Sequence, residues 1–100
     1  MAIRFSIYLG LAVGNDASPA TCKASRDLAI GSADRHLHSY SCQDIQGRWN
    51  GIAEPTLLIT LITDRRTDIT KVNALAHEYK HSNQQEAVMI VEEEVDIRFY

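Results

Sequence analysis

A single α+β domain, with an antiparallel sheet and two helices on one face of it, is the fold class that the sequence predicts. The chain has 100 residues, of which 45% are hydrophobic and 23% charged, as expected for one soluble domain with one core. In residues 3–13 every odd position is apolar, which is the pattern of a strand with one buried face. In residues 69–79 apolar side chains recur at steps of three and four, which is typical of an amphipathic helix.

Helix and turn signals organise the first half of the chain. Residues 3–13 form the first predicted strand, and Asn15 and Asp16 then turn the chain. Ser18 followed by Pro19 predicts an N-cap and the first residue of a helix that runs to about Gly31. The predicted inner face of this helix consists of Cys22, Leu28 and Ala29. Residues 36–43 predict a second, weaker strand.

The second half completes the plan. Residues 56–63 are apolar on both faces and predict a central strand. Thr67 and Asp68 are expected to cap the second helix. Residues 86–91 predict the next strand, Glu92–Glu94 an exposed bend, and residues 95–99 a short extra strand at the edge. The order strand, helix, strand, strand, helix, strand is the ferredoxin-like plan.

Two helices on one face leave the other face of the sheet uncovered. We expect Tyr8, His38 and Tyr40 to lie on that open face. Sheets of this kind usually hide such a face by oligomerising.

Composition excludes several classes of function. Ten basic residues against thirteen acidic ones give a net charge of -3, and no stripe of Lys and Arg indicates a nucleic-acid partner. No apolar run approaches the roughly 18 residues that span a bilayer, so no membrane partner is expected. Two cysteines, Cys22 and Cys42, are too few for a disulfide framework. We expect free thiols in a cytoplasm, with a single bridge as the alternative.

The segment from Gly47 to Pro55 is the first candidate for a functional site. It combines the single tryptophan, two glycines, a carboxylate and a proline in front of an apolar strand. Pro55 cannot donate to a strand ladder except at its start. We therefore expect a sharp loop that delivers Glu54 to the mouth of the strand, where functional groups tend to lie. The alternative is a plain hairpin loop, with Trp49 over the sheet edge.

Histidines provide two candidate metal motifs that context argues against. His77-Glu78-Tyr79-Lys80-His81 matches H-E-x-x-H, but its histidines flank the apolar stripe and are expected to face water. No later histidine follows as a third ligand. His36 and His38 would share a strand face without a nearby carboxylate or cysteine. We therefore predict no metal site.

Polar residues near one end of the predicted sheet are the remaining candidates. Glu54, Trp49 and Tyr40 belong to this group, and Gln84-Gln85 enter the strand after the second helix. In the predicted topology the first strand separates Glu54 from Gln85. They are expected to meet only across the end of the sheet or across a subunit boundary. The alternative is that both glutamines merely end a helix.

These motifs resemble two related groups of proteins. One is a bacterial family of unknown function with a G-x-W loop, a glutamate before a strand, a Tyr-Lys pair and a Gln-x-x-Val motif. This chain has Gly47-Arg48-Trp49, Glu54-Pro55, Tyr79-Lys80 and Gln85-Glu86-Ala87-Val88 in the same order. The other group is the phage-encoded S-adenosylmethionine lyases, formerly called hydrolases, which resemble the trimeric PII signalling fold.

The resemblance implies a function and roles for four residues. Glu54 matches the essential glutamate and Gln85 the substrate-contacting glutamine, while Tyr40 is the candidate for an active-site tyrosine and Trp49 for a cover over adenine. The implied substrate is S-adenosylmethionine, with no cofactor. The implied assembly is a homotrimer with sites between subunits, in the cytoplasm of an infected bacterium, where cleavage counteracts host methylation and restriction.

The implied reaction needs little from the protein. The methionine carboxylate attacks its own Cγ, which releases 5′-methylthioadenosine and closes homoserine lactone. Holding the folded conformer can supply about 7–11 kcal/mol in favourable cases. The competing interpretation is a PII-like nucleotide-binding or host-inhibiting module without turnover. A third is a purely structural protein with no ligand.

Overall fold

The chain folds in the order β-α-β-β-α-β, so the predicted α+β class of ferredoxin-like or PII-like type is confirmed. The computed structural model describes residues 1–100, apart from the side chain of Trp49. The strands are β1 (Ala2–Gly10), β2 (Ser41–Trp49), β3 (Ile52–Thr63) and β4 (Met89–Val95). The helices are α1 (Pro19–His36) and α2 (Ile69–Ser82), with a short 3-10 turn at Arg66–Asp68 before α2.

The four strands form one antiparallel sheet in the order β2-β3-β1-β4. Ile7 at the middle of β1 pairs with Ile59 of β3 and with Ile90 of β4. The odd positions of β1 face the helices and are buried, as the alternation predicts. They form the core with the following residues of β3 and α2: Leu57, Ile59, Leu61, Val72, Leu75 and Tyr79.

Helix α1 is longer than predicted and packs through small side chains. Its buried residues are Cys22, Ser25, Ala29, Ser32 and Ala33. The placement of Leu28 on the inner face is wrong, because its side chain is 41% exposed. The helix continues through Gly31 to His36, since a glycine within a helix costs only about 1 kcal/mol, which packing can offset. The predicted start is confirmed: Ser18 Oγ accepts a hydrogen bond from the Thr21 amide at 3.3 Å.

The predicted second strand at 36–43 is misplaced, because β2 begins at Ser41. His36 is the last residue of α1, and His38 and Tyr40 lie in the connection to β2. Their predicted place on the open sheet face is therefore wrong. Tyr8 does lie on that face, since it occupies an even position of β1. Contacts with α2, described below, hold the last turn of α1 in the helix and override the weak strand pattern.

The predicted loop at 47–55 is a tight hairpin. β2 runs to Trp49, β3 starts at Ile52, and Asn50 and Gly51 form the turn with φ of 50° and 79°. Positive φ at both positions is the signature of a two-residue type I′ hairpin, for which Asn-Gly is the preferred sequence. The hairpin alternative is confirmed for the backbone, whereas the predicted place of the Trp49 side chain lies outside the described residues.

The β2–β3 hairpin extends beyond the end of β1. Gly10, the last residue of β1, pairs with Thr56, and β3 continues past this pair back to Ile52. Pro55 lies within β3, where its carbonyl accepts a hydrogen bond from the Leu11 amide at 3.0 Å. The hairpin therefore overhangs the sheet, and Glu54 lies on the first part of the overhang.

The second half of the chain differs from the prediction at three places. Asp68 does not cap α2 through its side chain, because its carboxylate accepts from Thr63 Oγ1 at 2.6 Å instead. Glu92–Glu94 belong to β4 rather than to a bend, as exposed acidic residues on an edge strand. The extra edge strand is wrong, since residues 96–100 form no strand. Val95 is already opposite Ala2, the first residue of β1, so the ladder ends there.

Candidate functional site at the end of β1

Glu54 and Gln85 meet within one chain, over the last residue of β1. A Cβ atom placed on Gly10 would overlap Glu54 Oε1, would lie 3.2 Å from Glu54 Cδ and would lie 3.0 Å from Gln85 Oε1. The two side chains therefore converge on the space that Gly10 leaves free. Of the two predicted arrangements, across the end of the sheet or across a subunit boundary, the structure shows the first, with β1 between β3, which carries Glu54, and β4, which follows Gln85.

The C-terminal end of α2 positions Gln85. The helix ends at the C-cap Asn83, and Gln84 takes the left-handed conformation with φ of 53°. The Gln85 amide then donates to the Lys80 carbonyl at 3.0 Å, which is the long-range bond of a Schellman motif. The reversal turns the Gln85 side chain back toward the sheet, where Nε2 donates to Ala12 O at 2.9 Å and to Asn83 O at 3.2 Å. The glutamines do end the helix, and Gln85 also reaches the site.

A buried polar network lies on the core side of Gly10. The Tyr79 hydroxyl donates to the Gly10 carbonyl at 2.5 Å and accepts from Asn83 Nδ2 at 2.9 Å. Asn83 Nδ2 also donates to Ser25 Oγ at 3.0 Å, which ties α1 to α2. Burial, with a smaller contribution from the charge of Glu54, raises the pKa of Tyr79 to about 12. The hydroxyl is therefore protonated at physiological pH and remains a donor.

Strand alternation places Glu54 on the face of the sheet that has no helices. It lies two residues from Thr56, which pairs with Gly10, and all three residues point to that face. The side chain of Glu54 is half-buried. Gln85 also lines an open groove of about 420 Å³ together with His77, Lys80, His81 and Gln84. The site thus has an acidic side at Glu54, a neutral amide at Gln85 and a basic rim on α2.

Tyr40 does not join Glu54 and Gln85 within one chain. Its hydroxyl donates to Asp34 Oδ1 at 2.6 Å, and this bond, together with burial, raises the pKa of Tyr40 to about 12. The neighbouring Ser41 pairs with Thr60, whereas Gly10 pairs with Thr56, so the two levels of the sheet are about 13 Å apart. A role for Tyr40 at the site stays a prediction, and so does the role of Trp49.

The H-E-x-x-H motif forms a clamp between the helices. Glu78 accepts hydrogen bonds from Ser32 Oγ at 2.9 Å and from Arg35, and contacts His36 Nε2. Arg35, followed by His36 and Ser32, lowers the pKa of Glu78 to about 2. His77 and His81 are exposed, as predicted. Among the described residues, no cluster of three His, Cys, Asp or Glu side chains could hold a metal ion.

Sequence reasoning missed Gly10, Tyr79 and Asn83 as parts of this site. A glycine within an alternating strand is a signal that another group approaches the backbone closely. A tyrosine in the apolar stripe of a helix is a second signal, because a buried hydroxyl needs a hydrogen-bond partner. Asn83 has no comparable signal, since asparagine is common at the end of any helix.

No helix in the described chain combines the length and apolarity needed to cross a bilayer. No protein-family model matches the chain, and no curated protein matches its sequence.

Solved structures with the same arrangement of strands and helices define the class of fold. The chain is similar to a PII-like nitrogen regulatory protein from Thiomonas intermedia, bound to ADP, AMP and bicarbonate, with a TM-score of 0.58 and 12% identity over 99% of this chain and 94% of that one. It is similar to a DUF3240 family protein from Shewanella baltica, with a TM-score of 0.64 and 10% identity over 98% of this chain and 94% of that one. Both likenesses concern the fold alone.

A phage S-adenosylmethionine lyase in complex with S-methyl-5′-thioadenosine is similar in sequence as well. Its TM-score is 0.67 and its identity 25%, over 93% of this chain and 81% of that one. The resemblance that the motifs indicated is thus confirmed by comparison of the folds.

Proposed function

We propose that the protein is an S-adenosylmethionine lyase. The observation that carries the proposal is the convergence of Glu54 and Gln85 over Gly10, in a chain similar to a phage lyase structure that contains methylthioadenosine. The sequence motifs match Glu54 to the essential glutamate of these lyases and Gln85 to their substrate-contacting glutamine. Their meeting within one chain supports a common site.

The proposed reaction is intramolecular. A methionyl carboxylate oxygen attacks Cγ, the Cγ–S bond breaks, and its electron pair neutralises the sulfonium. The products are 5′-methylthioadenosine and homoserine lactone. No proton needs to move, because a carboxylate and a sulfonium cancel each other's charge. A site that excludes water and holds the two groups in line therefore lowers the barrier.

Each site residue has a role that its chemistry permits. Glu54 binds the ribose hydroxyls or the α-ammonium group, where its negative charge does not oppose the attack. Gln85 presents its carbonyl oxygen to the site, because both hydrogens of its amide are donated to Ala12 and Asn83, and that oxygen accepts from the α-ammonium group or a ribose hydroxyl. We assign Tyr40 to the methionyl carboxylate and Trp49 to the adenine, each from a neighbouring subunit or after closure around the ligand.

The site is proposed to be completed by neighbouring subunits of a homotrimer. The helix-free face beside Glu54 offers a surface that another copy can cover. Light scattering coupled to size exclusion tests this, and the mass of three chains is expected. A fully active single chain would contradict the assembly while leaving the reaction intact.

Turnover can be tested directly with S-adenosylmethionine. Chromatography is expected to show methylthioadenosine, and hydroxylamine to trap the lactone as a hydroxamate, which homoserine from direct hydrolysis would not form. Glu54→Gln is expected to lower kcat/KM by about 10- to 100-fold, because a charged hydrogen bond to substrate is lost. Asp27→Asn, which removes an exposed carboxylate paired with Lys23 on α1, is the matched control. Full activity of Glu54→Gln would refute the assignment.

A binding module is the competing proposal. The PII-like neighbour bound to ADP and AMP supports it through the fold. Calorimetry distinguishes the two functions, since a binding module would titrate a nucleotide or S-adenosylmethionine and return it unchanged.

Cleavage in an infected bacterial cytoplasm would deprive host methylation and restriction of their methyl donor, which is the biological role we propose for the lyase.

A further inference from the structure

Tyr79 connects the hydrophobic core to the candidate site. Its ring is fully buried, and its hydroxyl donates to the carbonyl of Gly10, the residue over which Glu54 and Gln85 converge. A buried hydroxyl that binds a strand-end carbonyl fixes that peptide group in one orientation. Tyr79 itself has no exposed surface with which to touch a ligand.

Asn83 extends the same connection to Gln85. Its side chain donates to the Tyr79 hydroxyl, and its main-chain carbonyl accepts from Gln85 Nε2. Glu54 and Gln85 are therefore both linked to the buried pair of Tyr79 and Asn83. Glu54 lies against Gly10, whose carbonyl bonds Tyr79, and Gln85 bonds Asn83. Ser25, on α1, completes the network, because its hydroxyl accepts from Asn83 Nδ2 and lies beside the Tyr79 hydroxyl.

We infer that Tyr79 is a positioning residue for the proposed reaction, which holds Glu54 and Gln85 in register through Gly10 and Asn83 without touching the substrate. The inference rests on the proposed function. The charge of Glu54 contributes to the raised pKa of Tyr79, which agrees with their closeness. A misplacement of the order of 1 Å at a site that works by orientation alone is costly in rate.

Tyr79→Phe and Ser32→Ala form a matched pair for the test. Each removes one buried hydroxyl, but only Tyr79→Phe releases Gly10, because the Ser32 hydroxyl belongs to the Glu78 clamp. We expect kcat of Tyr79→Phe to fall about tenfold or more, with KM within about threefold, measured well below the melting temperature of the variant. Ser32→Ala is expected to keep kcat within about twofold at a similar loss of stability.

The other outcomes each decide the inference. A purely structural Tyr79 would leave kcat of folded Tyr79→Phe within twofold of wild type, which overturns the inference, as would an equal loss of kcat in Ser32→Ala. If Tyr79→Phe does not fold, the same change is made in a chain stabilised by Gly31→Ala in α1, and an unchanged kcat there overturns the inference as well. A wild-type protein that neither binds nor cleaves S-adenosylmethionine overturns the proposed function and the inference together.

Discussion

The carboxylate of Glu54 occupies the space that a side chain at Gly10 would need. Gly10 has ordinary strand geometry, since its φ is not positive, so the backbone would accept any residue there. Glycine at this position is therefore a requirement of the site. Local backbone conformation does not demand it.

Gly10→Ala is expected to separate activity from stability. The new methyl group would displace the ends of Glu54 and Gln85, both flexible side chains. The proposed lyase activity should therefore fall by about tenfold or more, while the melting temperature changes by a few degrees at most. Methylthioadenosine production and thermal unfolding measure the two effects. Gly31→Ala is the control, because its Cβ would lie 3.5 Å from Arg35 Nη1 in ordinary contact. The control should retain activity and gain about 0.5–1 kcal/mol of stability.

Gln84→Gly is expected to stabilise the protein. Gln84 has a φ of 53°, a conformation that costs a residue with a side chain about 1–2 kcal/mol but costs glycine nothing. After the greater entropy loss of glycine on folding, a net gain of about 0.5–1 kcal/mol remains. Urea denaturation measures it, with Gln84→Ala as the control that should show no gain. A loss of stability in Gln84→Gly would show that its side chain makes a contact worth more than the backbone strain.

The Glu78 clamp predicts a pH dependence of stability. Pairing with Arg35, His36 and Ser32 lowers the pKa of folded Glu78 to about 2 from an ordinary 4.5. The ionised group therefore stabilises the folded chain fully above about pH 4.5, and this contribution is lost as the pH falls toward 2. Glu78→Gln should be less stable than wild type at pH 7, and the gap in urea midpoint should narrow between pH 4.5 and 2.

Asp27→Asn provides the reference for that measurement, because its exposed pair with Lys23 should contribute little at any pH. If the urea midpoints of Glu78→Gln and wild type differ by the same amount at every pH, the ionised Glu78 does not stabilise the fold in the way we expect.

The thiols are expected to react at different rates. Both cysteines are free, as the composition indicated, with Cys22 buried and Cys42 exposed on β2. A thiol reagent should therefore modify one thiol rapidly in the folded protein and the second only as fast as the chain opens. Cys42→Ser should remove the fast phase, and Cys22→Ser should leave it. A single fast phase for both thiols would contradict the burial of Cys22.

The elements that sequence reasoning placed well are those with strong periodic patterns. β1 and α2 have apolar residues at the spacing of a strand and of a helix, and they form the centre of the core. The prediction ends α1 too early because the helix packs through Ser25, Ser32 and Ala33, small residues that no hydrophobic pattern marks. It places β2 too early because the residues of β2 are mostly polar, and an edge strand needs no apolar alternation.

The residues of the candidate site also differ in how far a sequence pattern indicates them. Motifs indicate Glu54 and Gln85, and the predicted topology places β1 between the strand that carries Glu54 and the strand that follows Gln85. The network beneath them depends on where a helix end meets a strand end. The contact between Tyr79 and Gly10 joins residues 69 positions apart, and local pattern does not contain such information.

The overhang of the β2–β3 hairpin makes its length adjustable. Residues beyond Pro55, whose carbonyl bonds the Leu11 amide, pair only between β2 and β3. Antiparallel pairs alternate in their hydrogen bonding, so two more residues in each strand would keep the turn type and carry the Asn50-Gly51 tip outward by about 7 Å. The reach of the hairpin tip can thus change by insertion or deletion, while the residues around Glu54 keep their place. Under the proposed function, the same fold could accommodate a larger or smaller ligand without change to its core.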